Sequence, residues 1–145
     1  MIKVLSYGIL LFGINWRKKI KMVRNFHTTE EKIITDLKNN IGTENYYTIP
    51  FSKFKYTDGI KNLIDLTKCY WLISDTAILI SSKKELQKPF LLLKIEVTDD
   101  KAIVTLKEDS NLKPIYKKTY EYTDFPLKEY EFYICDNVFL LKSEY

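Results

Sequence analysis

At 145 residues the chain suits a single domain, and 46% hydrophobic with 29% charged residues and few Gly or Pro exclude a disordered chain. The net charge of +4 is unevenly placed: residues 1–21 hold Lys3, Arg17, Lys18, Lys19 and Lys21 and no acid. Without those five, residues 22–145 carry 18 basic against 19 acidic residues, which excludes a broad phosphate-binding footprint on that body.

The first 21 residues read as an extension, with 22–145 as one α+β domain. The apolar run 4–15 falls short of the ~20 residues that a membrane-spanning helix needs. Most of its flanking positive charge follows it, and no small-residue cleavage site appears, unlike a signal peptide. Three readings stay open. The segment is an extra strand on the core, or a short amphipathic membrane contact. Alternatively it is not native coding sequence, and Trp16–Lys21 encode a ribosome-binding site before a start at Met22. The expectation is a cytoplasmic protein with no stable membrane insertion.

Thr28 with Glu31 three positions later fits a capping box, and Ile33, Ile34 and Leu37 recur at helical spacing until Asn39-Asn40 and Gly42. Residues 42–56 read as an irregular aromatic connection. Asp58 is placed as the N-cap of a second helix carrying Ile60, Leu63, Ile64 and Leu66, with Thr67-Lys68 as a bend. A third helix, 70–80, is apolar nearly all round and so reads as buried. Beyond a polar loop at 81–88 the period becomes two. Leu91, Leu93, Ile95 and Val97 share one face, and Ala102, Val104 and Leu106 alternate back after a turn at Asp99-Asp100. Asp109-Ser110-Asn111 turns the chain again. Tyr116, Lys118, Tyr120 and Tyr122 share a face of a third strand that Pro126 stops. Tyr130, Phe132 and Ile134 form a fourth, and Asp136-Asn137 turns into 138–141. Helices first and strands after predict two to three N-terminal helices packed on a roughly four-stranded antiparallel sheet.

Five strings, Gly42-Thr43-Glu44-Asn45-Tyr46-Tyr47, Tyr56-Thr57-Asp58-Gly59, Cys69-Tyr70-Trp71-Leu72, Tyr122-Thr123-Asp124-Phe125-Pro126-Leu127 and the terminal Ser143-Glu144-Tyr145, occur in this order. Together they resemble an uncharacterised family of small proteins from bacterial and phage or plasmid genomes. The resemblance covers roughly 40–145. It implies members that begin near the first helix and carry Pro where this chain has Lys142. It implies no activity.

Cys69 and Cys135 lie outside any CxxC and His27 is the only histidine, so a disulfide framework and a Cys/His zinc site find no support. Both thiols read as small buried hydrophobes, and His27 as a surface or cap-adjacent residue. There is no G-x-S-x-G, no phosphate-cradling glycine loop and no paired-His motif, and no cofactor or metal is expected. The expected function is a non-catalytic binding module with a protein partner, such as an inhibitor or adaptor of a mobile element directed at a host defence system. Its expected surface is Tyr46, Tyr47, Phe51, Phe54 and Tyr56 with Glu144 and Tyr145, because exposed Tyr and Phe are typical interface anchors. One alternative is a single-strand nucleic-acid binder using Lys53, Lys55, Lys117 and Lys118 beside aromatic rings. The other is a carboxylate-dependent enzyme, drawing on Glu44, Asp58, Asp124 and Glu144 and pairing Asp58 with Asp124.

Overall fold

The computed structural model describes residues 29–145. The capping box at Thr28, His27 and the whole 1–21 extension lie outside the described residues. The chain divides into two compact units, Met1–Thr35 and Asp36–Tyr145. Described residues of the first belong to helix α1, which occupies 29–38 and stops at Asn39.

The second unit is built around one sheet. Its strands are β1 (Tyr46–Thr48), β2 (Lys55–Thr57), β3 (Phe90–Thr98), β4 (Lys101–Lys107), β5 (Tyr116–Tyr120), β6 (Glu129–Cys135) and β7 (Val138–Leu140). Helices α2 (Asp58–Thr67) and α3 (Tyr70–Ser82) lie between β2 and β3. The α+β class holds, but the sheet has seven strands in the order β1-β2-β7-β6-β3-β4-β5, not four. It is also not purely antiparallel, because β2 runs parallel to β7. The strands missing from the sequence reading are short. β1 and β2 have three residues each, too few for a period of two to register. They hold their place through partners: Tyr47 opposite Tyr56, and Tyr56 opposite Phe139.

The alternating runs behave as their pattern requires. Leu93 lies between Leu106 and Phe132, and Ile95 between Val104 and Tyr130, so this face forms a continuous apolar layer. Asp99-Asp100 and Asp136-Asn137 all take positive φ, the backbone of a two-residue hairpin turn whose twist matches the strands. Tyr122 departs from its expected strand: β5 ends at Tyr120 and Tyr122 is exposed.

Helix α3 covers the apolar face. Asp75 accepts hydrogen bonds from Tyr120 Oη at 2.6 Å and Lys118 Nζ at 2.9 Å, and Trp71 meets Tyr120 edge-on. Burial and the Asp75 bond hold the Tyr120 hydroxyl well above the usual phenol range, while the Tyr120 bond lowers Asp75. Leu72, Ile73, Thr76, Ala77 and Ile80 are buried, but Ile78 is 66% exposed, so α3 is not buried all round. Helix α2 ends where Lys68 turns left-handed at φ 59°, and its backbone N–H reaches back to Ile64. This residue ends one helix before the next begins, where the sequence suggested a bend. On the opposite sheet face Lys94 pairs with Glu96 and Glu129, and Lys142 with Glu131; exposed pairs of this kind contribute about 0–1 kcal/mol each. Among the described residues no helix is long and apolar enough to cross a membrane.

Candidate functional site

Three of the five strings converge at the N-terminus of α2. A helix start leaves its first N–H groups without intrahelical partners. Here separate segments supply them. Asp58 N donates to Thr43 Oγ1 at 2.9 Å, Gly59 N to Glu144 Oε2 at 3.0 Å, and Ile60 N to Thr57 Oγ1 at 3.3 Å. The N-cap is therefore Thr57, correcting the assignment to Asp58. Thr57 has β-region dihedrals and an acceptor oxygen one residue before the helix, which is what a cap requires.

Asp58 instead organises the segment before β1. Its carboxylate accepts from Glu44 N at 2.9 Å, Asn45 N at 3.0 Å and Tyr47 Oη at 2.9 Å. The Glu44 N–H leads these donors in pulling the Asp58 carboxyl down to about 2, and the Tyr47–Asp58 bond raises the Tyr47 hydroxyl. Glu144 accepts from Thr57 Oγ1 at 2.7 Å and Leu141 N at 2.9 Å besides Gly59 N. A Cβ on Gly59 would stand 2.3 Å from Glu144 Oε1, so the carboxylate occupies space that only glycine leaves open. Asp58 and Glu144 thus spend their acceptor oxygens on folding.

The residues between β1 and β2 make a different feature. Ser52 N donates to Ile49 O at 3.2 Å, which closes a four-residue turn with Pro50 and Phe51 at its centre. Phe51 has φ 61°. Pro followed by a positive-φ residue is the pattern of a type II turn, whose second central position favours Gly or Asn. A phenylalanine there is strained by roughly 1–2 kcal/mol, and its side chain is fully exposed. The turn is anchored beneath. Ile49 N donates to Phe54 O at 3.0 Å, and Phe54 and Ile49 are buried.

This turn and α3 form the two walls of a groove of about 490 Å³. Pro50 and Phe51 line one wall, and Tyr70, Ala77 and Ile78 the other. Ser52, Ser74 and Ser82 add hydroxyls to the lining, whose protons go to nearby backbone carbonyls, and Ser52 Oγ also accepts from Phe54 N at 3.2 Å.

The expected surface residues separate into distinct roles. Phe51 is exposed on the groove, and Tyr46 is 58% exposed on edge strand β1. Tyr47 and Tyr56 stack on each other at 5.3 Å between ring centres, and Tyr56 meets Tyr70 edge-on. Phe54 is 1% exposed and packs on Phe139, so it is a core residue and not part of a surface. Glu144 caps α2, and Tyr145 lies against Phe90 and Tyr133 near the start of β3.

The alternative sets do not converge. Lys53 and Lys55 flank the start of β2 and Lys117 and Lys118 lie on β5, five strand spacings or about 24 Å across the sheet. Lys118 is already paired with Asp75. Asp124 follows Thr123, whose N–H bonds Asp100 O at the β3–β4 turn, and β3 lies three strand spacings, about 14 Å, across the sheet from the β2 end that leads into Asp58. Cys69 is buried, and burial pushes its thiol up to about 11, while Cys135 is only half-buried. Among the described residues no three His, Cys, Asp or Glu side chains form a metal-holding group.

Sequence reasoning missed Tyr70 and Ile78 as surface residues, because an almost wholly apolar helix conceals which of its faces is uncovered. The signal for the turn was present in Pro50, after which the chain must bend.

Residues 31–145 match a protein-family model described as a family of unknown function (DUF6876). The chain belongs to this family. The matched span holds the capped helix, the strained turn and both walls of the groove. No curated protein and no solved structure matches the chain.

Proposed function

We propose that the chain is a non-catalytic binding module that acts through a protein partner, with the groove between the 49–52 turn and α3 as its docking surface. One observation carries this reading: Phe51 is fully exposed while held at a φ of 61° beside an exposed Ile78. Folding alone favours glycine or asparagine at that position. A strained, exposed aromatic ring is a cost to the isolated chain that binding can offset, and such outliers cluster at functional sites. Two large apolar side chains across an open groove supply the kind of anchor that dominates interfaces. The residues lining the groove are apolar or hydroxylic, with no histidine, cysteine or carboxylate among them. The family resemblance to bacterial, phage and plasmid proteins extends the reading to a cytoplasmic inhibitor or adaptor, including one aimed at a host defence system.

The test compares the tagged full chain with its Phe51→Gly variant as baits in the native host, with and without nuclease. The reading expects a stoichiometric, nuclease-resistant protein that the variant loses while remaining folded by circular dichroism. A partner held equally by both baits refutes the groove. Recovery of nuclease-sensitive material alone refutes a protein partner.

A further inference from the structure

The charge next in sequence to the groove's lining residues is one-sided. Within two positions of its lining residues the charged side chains are Lys53, Lys68, Asp75, Lys83 and Lys84. Asp75 is neutralised by Lys118. All four lysines are exposed, and none takes part in an ion pair among the described residues. Glu85, one position further on, is the nearest acid in sequence without such a pair. A domain that is near neutral over 22–145 thus carries unpaired, exposed positive charge next in sequence to both walls of its apolar groove.

We propose that the groove takes an acidic amphipathic segment of a protein partner, with apolar side chains seated between Phe51 and Ile78 and carboxylates facing the lysine rim. The proposal rests on the binding-module reading and adds the chemistry of the occupant. Charge complementarity across an interface selects the partner and speeds encounter, while apolar anchors supply most of the affinity. The same rim disfavours this chain's own residues 1–21, which carry five bases and no acid. It also disfavours a second copy docking through the same basic surface. A nucleic acid would satisfy the lysines and find rings in Phe51 and Tyr70, but the aliphatic lining of Pro50, Ala77 and Ile78 suits apolar side chains better than a charged strand, and the test below separates the two.

The probe is a phage-displayed random library of peptides about 16 residues long, enough as a helix to span the groove. It is panned on the full chain, and selected peptides are measured against wild type, Phe51→Gly and the combined K53Q/K68Q/K83Q/K84Q variant. The expected peptides are net acidic and carry large apolar residues three or four apart. Their affinity falls by about tenfold or more with Phe51→Gly, the loss of one anchor. It falls by roughly threefold to tenfold with the lysine variant, and added salt reproduces that loss. Peptides that need Phe51 but are neutral or basic overturn the acidic occupant and leave the groove reading standing. Peptides indifferent to Phe51, or no enrichment at all, overturn both. Phe51-dependent binding of an oligothymidine strand, or Phe51-dependent dimerisation in sedimentation, overturns the proposal in favour of a nucleic acid or a second copy.

Discussion

Phe51 and Phe54 lie three positions apart in one aromatic stretch and do opposite things. Phe54 fills the core against Phe139, so Phe54→Ala is expected to destabilise the fold by about 3–5 kcal/mol, read from the midpoint of urea unfolding. At Phe51 the glycine variant relieves left-handed strain but adds backbone entropy to the unfolded chain. The balance predicts stability unchanged or raised by up to about 1 kcal/mol. A clear loss of stability in the same unfolding assay would show that the ring packs in the fold. Gly59 and Glu144 form a second informative pair. Gly59→Ala displaces the Glu144 carboxylate and is expected to cost about 1–2 kcal/mol through the lost cap. In a Glu144→Ala background the obstruction is gone, and the same substitution is expected to stabilise α2 by up to about 1 kcal/mol, because alanine is the better helix former. A double-mutant cycle in thermal unfolding reads this reversal of sign. Beside Asp75, whose carboxyl is also lowered, Asp58 contributes to the acid limb. Its folded pKa lies below the unfolded value, so the unfolded chain binds the extra proton as pH falls. Stability from this group is present above about pH 4 and is lost between there and about pH 2. Asp58→Asn should flatten the stability profile across that window, measured by chemical unfolding at stepped pH.

Among the elements, those with a period long enough to register were legible. Helix α2 and the strands β3, β4 and β6 follow directly from their spacing, and both Asp-containing turns fell where the alternating runs break. Strands β1 and β2 were not legible, since three residues give no period and β2, which β1 pairs with, joins the sheet through Val138 and Phe139, far along the chain. The site was half legible for the same reason. Exposed aromatics in 46–56 were visible as a cluster, but which of them face solvent depends on strand register. Phe54 and Tyr56 turn toward the core side, whereas Phe51 leaves it at the turn. The helix cap was hidden because its acceptor, Glu144, lies 85 positions from the Gly59 N–H it serves.

At the scale of the whole molecule, the parallel β2–β7 pair and the Glu144 cap make the middle of the chain depend on its last residues. A chain stopped after Asn137 retains α2, α3 and β3 to β6 but loses the strand that joins β2 to the sheet. Such a truncation is expected to abolish cooperative unfolding, and retention of a single sharp transition would show that β1 and β2 hold without β7. The dependence also sets an order of events during synthesis. Until residue 144 has cleared the ribosome, α2 lacks its carboxylate cap and β2 has no neighbour toward the centre of the sheet. The nascent polypeptide therefore presents an open β2 edge until its last segment emerges, the kind of surface that nascent-chain chaperones bind.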